Sequence, residues 1–531
     1  HQMKDMDRLV EILAQKIRKQ VHIRIIGDYD VDGVTSSHLF LTALRRVGAK
    51  VDVVIPHRIQ DGYGLSLHLL QQAKEDGVDT ILTCDNGIAA IDEIAWAKAQ
   101  KMTVLVTDHH AVPFEEHEGR RTEKKSLADA VVNPHQQDCR YPYKELCGAG
   151  VAWNVIRVLY ENYDMDKREA EDLLDFVAMA TVCDVMSLTG ENRILVKEGL
   201  KRIRHTKNIG LQALMQACNV QPENISAYHF GYVLGPCVNA TGRLDTARHA
   251  LRLFETGQET EAEEIARDLV DLNQERKELT LQGVEMAKKL CEEGGYENDP
   301  ILVLFLPDVH ESIAGLIAGR IREMYNRPVF VLTRGEEGVK GSGRSTENYS
   351  MYENMCGCAE LFTKFGGHPM AAGLSLPEEN VEKFRRKINE NCPLTVEEVC
   401  PDIHIDMAMP VGYASTELVH QFALLEPFGK DNPSPLFADR NLSISRMWLI
   451  GKNRNVLRMS VLSEYGQPVP VIFFGDVETL FAYFTEKFGQ EEVENALHGR
   501  KNRILFSMVY TAKIDFYQGN ENLQLEMKYY R

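Results

Sequence analysis

Val21-His22-Ile23-Arg24-Ile25-Ile26, running into Gly27-Asp28-Tyr29-Asp30-Val31-Asp32-Gly33, is the stretch that decides the fold. A short apolar run with the length of a strand ends directly in three carboxylates at alternate positions. An EF-hand loop also places Asp or Asn at positions 1, 3 and 5, Gly at 6 and Glu at 12. Counted from Asp28, position 12 is Leu39, and the preceding run reads as a strand rather than a helix, which argues against a calcium loop. A solvated acidic turn is the other bland reading.

The same rhythm recurs on the carboxyl side. Val51-Asp52-Val53-Val54-Ile55, Thr80-Ile81-Leu82-Thr83 and Met102-Thr103-Val104-Leu105-Val106 each precede polar turn residues, with amphipathic stretches between them. Strands alternating with helices over residues 21–133 predict a doubly wound α/β domain with a parallel sheet. In such sheets ligands bind outside the carboxyl ends of the strands.

Those ends carry a consistent chemistry: Asp85 in Thr83-Cys84-Asp85-Asn86-Gly87, then Asp108-His109-His110, then Asp184 in Ala180-Thr181-Val182-Cys183-Asp184, read as a further strand end. Adjacent histidines alone say little. Carboxylates and imidazoles gathered at one sheet edge, however, repel one another or suffer heavy desolvation unless cations occupy the site. Oxygen ligands with a few imidazoles favour manganese or magnesium over structural zinc. Two such ions about 3.5–4 Å apart activate a water against a phosphodiester and stabilise the leaving oxygen. Cys84 and Cys183 precede two of these ligands and are expected, by strand alternation, to turn into the core.

The chain has 531 residues, enough for roughly three or four domains. Residues 144–289 read as mostly helical, and a second α/β pattern starts at Ile301-Leu302-Val303-Leu304-Phe305. After Cys392-Pro393, the segments Asp402–Asp406, Leu442–Trp448, Val456–Val461, Val469–Phe474 and Arg503–Val509 are short and alternating, as in a five-stranded OB-fold barrel. The expected division is a catalytic domain over 1–195, a helical connector over 196–295, a smaller α/β domain over 296–395 and the barrel over 396–531. Sixty basic against 78 acidic residues give a net charge of −18, which excludes a protein that coats nucleic acid by bulk charge. A polyanion must therefore meet a metal or a local patch, and residues 312–345 supply one: Arg320, Arg322, Arg327, Arg334, Lys340 and Arg344 stand against Glu323, Glu336 and Glu337. The eleven cysteines form no Cys-x-x-Cys, and no apolar run reaches the roughly 18–20 residues of a membrane helix, so a cytoplasmic chain without a membrane partner is expected. It begins at His1 without an initiator Met, and so reads as trimmed.

In this order the acidic motifs resemble the DHH phosphoesterase superfamily, and within it the RecJ-type single-stranded-DNA exonucleases, from about Met3 to the end of the chain. The resemblance implies two divalent ions, manganese preferred or magnesium, on Asp30, Asp32, Asp85, His109 and Asp184, with Asp85 bridging. Asp28, Asp108 and His110 then orient those ligands or touch the scissile phosphate. Gly366-Gly367-His368-Pro369-Met370-Ala371-Ala372-Gly373, with Gly341-Ser342-Gly343-Arg344-Ser345 upstream, resembles the glycine-rich signature of the DHH-associated domain. Glycines let a backbone approach phosphate closely, and Ser and Arg beside them supply donors. Pro56-His57-Arg58-Ile59-Gln60-Asp61-Gly62-Tyr63-Gly64 and Gly235-Pro236-Cys237-Val238-Asn239-Ala240-Thr241-Gly242-Arg243 resemble further substrate segments. By that resemblance Arg58, Ser342 and Arg344 form a 5′-phosphate pocket, Asn239 and Arg243 lie near the scissile phosphate, and His368 joins the phosphate-binding set. Glu426-Pro427-Phe428-Gly429-Lys430-Asp431-Asn432-Pro433 resembles the segment where the OB domain begins; Phe428, Phe437, Trp448, Phe473 and Phe474 read first as barrel core. Two departures stand out: Cys237 sits where the family often has a basic residue, and the segment before the first strand is short.

The expected function is a metal-dependent exonuclease that degrades single-stranded DNA 5′→3′ to mononucleotides in recombination and repair. A helicase and a single-strand-binding protein are the expected partners that deliver a strand with a 5′ end. The rival readings are a DHH phosphodiesterase for short RNA or cyclic dinucleotides, and a catalytically silent RecJ-like scaffold for DNA or replication proteins. A connector and barrel disfavour the first; a complete set of carboxylates disfavours the second.

Overall fold

The computed structural model describes every residue except 1, 59, 60, 63, 118, 119, 245, 297, 336, 337, 393, 399–401, 452, 453, 518 and 519. Ile59, Gln60 and Tyr63 of the Pro56–Gly64 segment, and Glu336 and Glu337 of the basic patch, therefore lie outside the described residues. The chain divides into two compact units, His1–Asp402 and Ile403–Arg531. Among the described residues no helix is long and apolar enough to cross a membrane.

The first unit opens with α1 (Met6–Arg18), β1 (Ile23–Ile26), α2 (Val31–Arg46), β2 (Val51–Val54), α3 (Leu67–Glu75), β3 (Thr80–Cys84), α4 (Ile91–Ala99) and β4 (Thr103–Thr107). A hairpin of β5 (Phe114–His117) and β6 (Arg120–Glu123) leads to β7 (Ala130–Val132), a strand not expected from the sequence. Strands β1–β4 and β7 make a parallel sheet of order β2-β1-β3-β4-β7. Strand alternation sorts the apolar residues: Ile25, Leu82, Leu105 and Val132 face one core, Ile26, Ile81, Val106 and Val131 the other. The order reverses at β1, so the crevice beyond β1 and β3 is the topological switch point where this architecture binds ligands.

From Gly148 the first unit is helical: α5 (Gly148–Asn162), α6 (Arg168–Glu171), α7 (Leu174–Cys183), α8 (Gly190–Ile203), α9 (Ile209–Ala217), α10 (Ala227–His229), a π-helical turn (Phe230–Leu234), α11 (Gly235–Leu244), α12 (Ala247–Glu255) and the 35-residue α13 (Glu259–Glu293). Ala180–Asp184 is thus the end of helix α7 and not a strand end, as the apolar run suggested. Its apolar residues are buried all round in the larger core, which masks helical periodicity.

The second sheet combines β8 (Leu302–Phe305), β9 (Val329–Gly335), β10 (Gly338–Arg344), β11 (Lys364–His368) and β12 (Ala371–Leu376) in the order β11-β12-β10-β9-β8. α14 (Glu311–Tyr325) joins β8 to its parallel neighbour β9; α15 (Met351–Cys356) and α16 (Val381–Glu390) complete this part. The glycine-rich block is the β11–β12 hairpin, with Gly366 opposite Gly373.

The second unit holds β13 (Met407–Ala408), α17 (Thr416–Phe422), β14 (Phe437–Ile450), β15 (Val456–Leu462), β16 (Pro468–Phe473), α18 (Val477–Phe488), α19 (Gln490–Leu497), β17 (Leu505–Tyr517) and β18 (Asn520–Tyr530). Pairing runs β14-β15-β16-β18-β17 and back to β14, which closes a five-stranded barrel. The fifth barrel strand is β18 and not Asp402–Asp406, whose described residues precede the two-residue β13. Phe437 and Phe473 lie in the barrel core, as expected, whereas Phe474 is exposed.

Candidate active site

Three loops at the carboxyl edge of the parallel sheet and two helix ends build the centre. Asp30 caps α2, its Oδ1 accepting the Gly33 N–H at 3.0 Å, so the turn after β1 is held by one of the candidate ligands. Asp32 lies in the first turn of α2 and accepts the Gly148 N–H on Oδ2 at 2.5 Å and the Ala149 N–H on Oδ1 at 2.7 Å. The positive end of α5 therefore grips this carboxylate. Asp85 follows β3 with φ of 60°, a left-handed conformation that Asp tolerates better than most residues. Beside it, the Asn86 side-chain amide donates to the carbonyls of Ile26 at 3.0 Å and Cys84 at 2.9 Å, tying β1 to β3 across the switch point.

The acidic side chains converge. Asp28, Asp30 and Asp85 present oxygens within 4.8 Å of one another; Asp32, His109 and Asp184 form a second such group, and Asp85, His109 and His110 a third. His109 Nε2 stands 3.1 Å from Asp85 Oδ1, 3.6 Å from Asp184 Oδ2 and 3.7 Å from Asp32 Oδ2. Asp85 is common to the first and third groups. Asp28, expected to orient ligands, is placed among them, and its buried Oδ1 has no hydrogen-bond partner among the described residues. Asp108 does not join: Oδ2 accepts from the Ile88 N–H at 2.8 Å, and Oδ1 from the amides of His109 and His110 and from His110 Nδ1, the last at 2.8 Å.

Electrostatics follow from this crowding. Burial, then the neighbouring carboxylates, push Asp28 and Asp85 well above the usual range and Asp32 up to about 6. Burial pulls His109 down to about 3, so its imidazole is a neutral donor. Burial also opposes the charge on His110, but the bond and charge of Asp108 outweigh it and raise His110 to about 9. Five carboxylates packed with a neutral imidazole whose buried Nε2 makes no hydrogen bond among the described residues are a donor set suited to hard divalent cations.

A cationic cluster lies alongside. Arg58 stacks over Tyr29 at 4.8 Å, and burial together with Arg58, Arg276 and Arg344 lowers Arg243 to about 10. Arg276, on α13, was not picked from the sequence; its guanidinium rests on Asn273 Oδ1 at 2.8–3.1 Å. Among the described residues none of these four arginines forms an ion pair with a carboxylate, and Arg243 Nη1 donates to Ser312 O at 2.5 Å. Asn239 Oδ1 accepts the Val31 N–H at 3.2 Å, which places α11 against the start of α2. Ser342 and Arg344 alternate along β10 on one face, under Gly315 of α14. His368 is exposed on β11, aligned with Ala371 and Arg344 across three strands.

Most of the expected basic patch is spent structurally. Arg320 pairs with Glu323, Arg334 with Glu378 and Lys340 with Glu311, while Arg327 donates to the carbonyls of Tyr296 and Asp299. Burial, then the charges of Arg322 and Arg58, hold Arg344 below the usual arginine range. Cys237 is buried and accepts from Asn273 Nδ2 at 3.4 Å. The support from Gly148 and Ala149 was also missed; the small residues opening a helix in Cys147-Gly148-Ala149-Gly150 were its signal.

Comparison with known proteins adds a family. The DHH family N-terminal domain matches residues 22–181, the DHHA1 domain 298–392 and the RecJ OB domain 405–529. A Haemophilus influenzae protein named single-stranded-DNA-specific exonuclease RecJ is 32% identical over 550 residues, spanning 100% of this chain and 91% of that protein. The Bacillus subtilis protein of the same name is 33% identical over 470 residues, spanning 88% of this chain and 58% of its own length. The crystal structure of RecJ from Thermus thermophilus in complex with Mn2+ matches 100% of this chain and 72% of that one, with TM-score 0.80 and 26% identity. The crystal structure of exonuclease RecJ bound to manganese matches 73% of this chain and 94% of its own, with TM-score 0.62 and 32% identity. With its DHH, DHHA1 and RecJ OB domains in this order, the chain belongs to the RecJ family.

Proposed function

We propose that this chain is a metal-dependent exonuclease that hydrolyses single-stranded DNA from its 5′ end, releasing mononucleotides, in DNA recombination and repair. One juxtaposition carries the reading: a pocket of five carboxylates and a neutral His109 stands beside arginines that have no carboxylate partner among the described residues. The first feature suits cations and the second suits phosphates. The names of the relatives, single-stranded-DNA-specific exonuclease, agree with it.

Asp28, Asp30, Asp32, Asp85, His109 and Asp184 would hold the cations. Two bound divalent ions supply a Lewis acid for the phosphoryl oxygen, a more acidic water and charge for the leaving oxygen. The rest falls to the chain. The α5 amides fix Asp32, and Asp108 fixes the His110 ring through Nδ1. Arg58, Ser342 and Arg344 anchor the 5′ phosphate, Asn239 and Arg243 position the scissile one, and His368 borders the strand. In the barrel, Trp448 carries Arg446 at 5.7 Å and Arg458 at 6.0 Å from its ring, a pairing suited to a single strand. This reading includes delivery of substrate by a helicase and a single-strand-binding protein, in the cytoplasm.

The test is degradation of an end-labelled single strand, with and without a 5′ phosphate, beside a duplex, a five-nucleotide RNA and a cyclic dinucleotide, in manganese, magnesium or EDTA. Metal-dependent loss of the long single strand from its 5′ end, abolished by Asp184→Ala, is expected. Preference for the short RNA or the cyclic dinucleotide would overturn the reading, as would binding without cleavage in manganese.

A further inference from the structure

Cys218 and Cys237 come together from two helices of the first unit. Cys218 directly follows α9, and Cys237 lies in the first turn of α11. Their sulfurs are 3.8 Å apart, the one thiol–thiol contact among the described residues. Cys237 is buried, whereas Cys218 is half-buried, so the pair is partly open to a small solute.

The surroundings favour chemistry at this pair. Cys237 Sγ accepts from Asn273 Nδ2 at 3.4 Å, and Asn273 Oδ1 in turn holds the Arg276 guanidinium at 2.8–3.1 Å. Donation from Cys218 draws the Cys237 thiol below its usual range; burial opposes this, and Asn273, Lys277 and Arg276 add to it. Burial instead pushes Cys291 up to about 11 and Cys84 up to about 12. The thiolate is the form that reacts with oxidants, so this pair is set apart from the structural thiols of the core.

Two connections lead from the pair towards residues that the proposed function assigns to substrate. Asn239, two residues beyond Cys237 on α11, accepts the Val31 N–H at the start of α2. Arg276, held through Asn273, is one of the arginines that lower Arg243. A disulfide needs its sulfurs about 2.05 Å apart, so closure must draw α9 and α11 together or turn the side chains out of their present bonds. Cys237 would also give up its proton, and with it the bond to Val233 O at 3.2 Å in the π-helical turn.

We propose that Cys218 and Cys237 are a reversible oxidation site, which hydrogen peroxide closes to a disulfide, and that closure displaces Asn239 and Arg276 and slows cleavage of the strand. The effect on cleavage rests on the exonuclease reading; the oxidation does not. The peroxide O–O bond breaks as one oxygen passes to a thiol sulfur, giving a sulfenic acid and water. The neighbouring thiol sulfur attacks that sulfur, the S–S bond forms, and the S–O bond breaks with release of a second water. Two thiols lose two electrons and two protons, and one peroxide becomes two waters. A dithiol reductant reverses the step by exchange.

In the experiment the reduced full chain is treated with hydrogen peroxide and desalted. One portion is alkylated and digested with trypsin for mass spectrometry, and another is assayed on a 5′-phosphorylated single strand in manganese. No Lys or Arg lies between Lys207 and Arg243, so both cysteines fall in one tryptic peptide, 208–243. The wild type is expected to yield this peptide unalkylated and two hydrogens lighter, to lose about tenfold or more in cleavage rate, and to recover both after dithiothreitol. Cys218→Ser and Cys218→Ala, with melting temperatures to confirm folding, should cleave like the reduced wild type and keep that rate after peroxide. Alkylation of both cysteines after peroxide would overturn the site. A disulfide with an unchanged rate, or an equal loss in the Cys218 variants, would overturn its effect on cleavage. If the reduced wild type cleaves nothing, the exonuclease reading fails, whereas the peptide still judges the disulfide.

Discussion

Gly148 lies directly against Asp32, its amide donating to Oδ2 at 2.5 Å, and a Cβ built on it would stand 3.0 Å from that oxygen and 2.7 Å from Asp85 Cβ. No side chain fits there without pushing the start of α5 away from the two carboxylates it supports. Gly148→Ala should therefore lower metal affinity or metal-dependent activity by about 10- to 100-fold, the usual cost of losing support behind a ligand. Manganese titration followed by calorimetry checks this, and unchanged affinity in a folded variant would refute it.

Asp85 belongs to two of the ligand groups, Asp184 to one. Asp85→Asn is expected to abolish stoichiometric manganese binding, and Asp184→Ala to leave one of two equivalents bound. Manganese should also raise the melting temperature of the wild type after EDTA treatment, because bound cations relieve the repulsion among the carboxylates and stabilise the folded state by mass action. Equal stoichiometry in both variants would show that Asp85 does not bridge.

The strands that carry the site were legible because their apolar runs end in charged turns, as at Ile26-Gly27-Asp28 and Thr83-Cys84-Asp85. Asp184 was identified by resemblance but assigned to the wrong element: all residues of Leu174–Thr181 are buried, so no helical stripe distinguishes this helix from a buried strand. The amide grip of α5 on Asp32 spans 116 residues of sequence and depends on backbone atoms, which leave no side-chain signature. The barrel's β18 escaped because charged and polar residues, Asn520, Glu521 and Asn522, open it. Net charge misled at 312–345, since a count of arginines cannot tell an ion pair to a residue distant in sequence, such as Arg334 with Glu378, from a guanidinium left for substrate.

Gly315 on α14 covers Arg344, and a Cβ at Gly315 would come within 2.9 Å of Arg344 Nη2. The clash meets the far end of a flexible side chain, so Gly315→Ala should fold while displacing the guanidinium. Its expected effect is a higher KM for 5′-phosphorylated strands with little change for 5′-hydroxyl strands, shrinking the preference between them by about tenfold, as expected for loss of a charge-assisted contact. Steady-state kinetics on the two substrates decide it; a loss shared equally by both would place Arg344 away from the terminal phosphate.

Asp175, in the first turn of α7 at the opposite end of that helix from Asp184, is buried, with Oδ1 accepting the Phe176 N–H at 2.8 Å and Oδ2 the Thr206 hydroxyl at 2.7 Å. Burial, only partly offset by these bonds, raises it from 3.8 to about 6. The folded state thus keeps a proton that the unfolded chain has already released, so stability falls as pH rises between about 4 and 6 and stays lower above that window. Asp175→Asn removes the titration while preserving a hydrogen-bonding side chain of the same shape. The variant should gain stability over the wild type by up to about 3 kcal/mol at pH 8, with the gain vanishing near pH 4. Urea unfolding of both proteins across that range measures it, and a difference independent of pH would show that the Asp175 carboxyl ionises in the folded state as readily as in water.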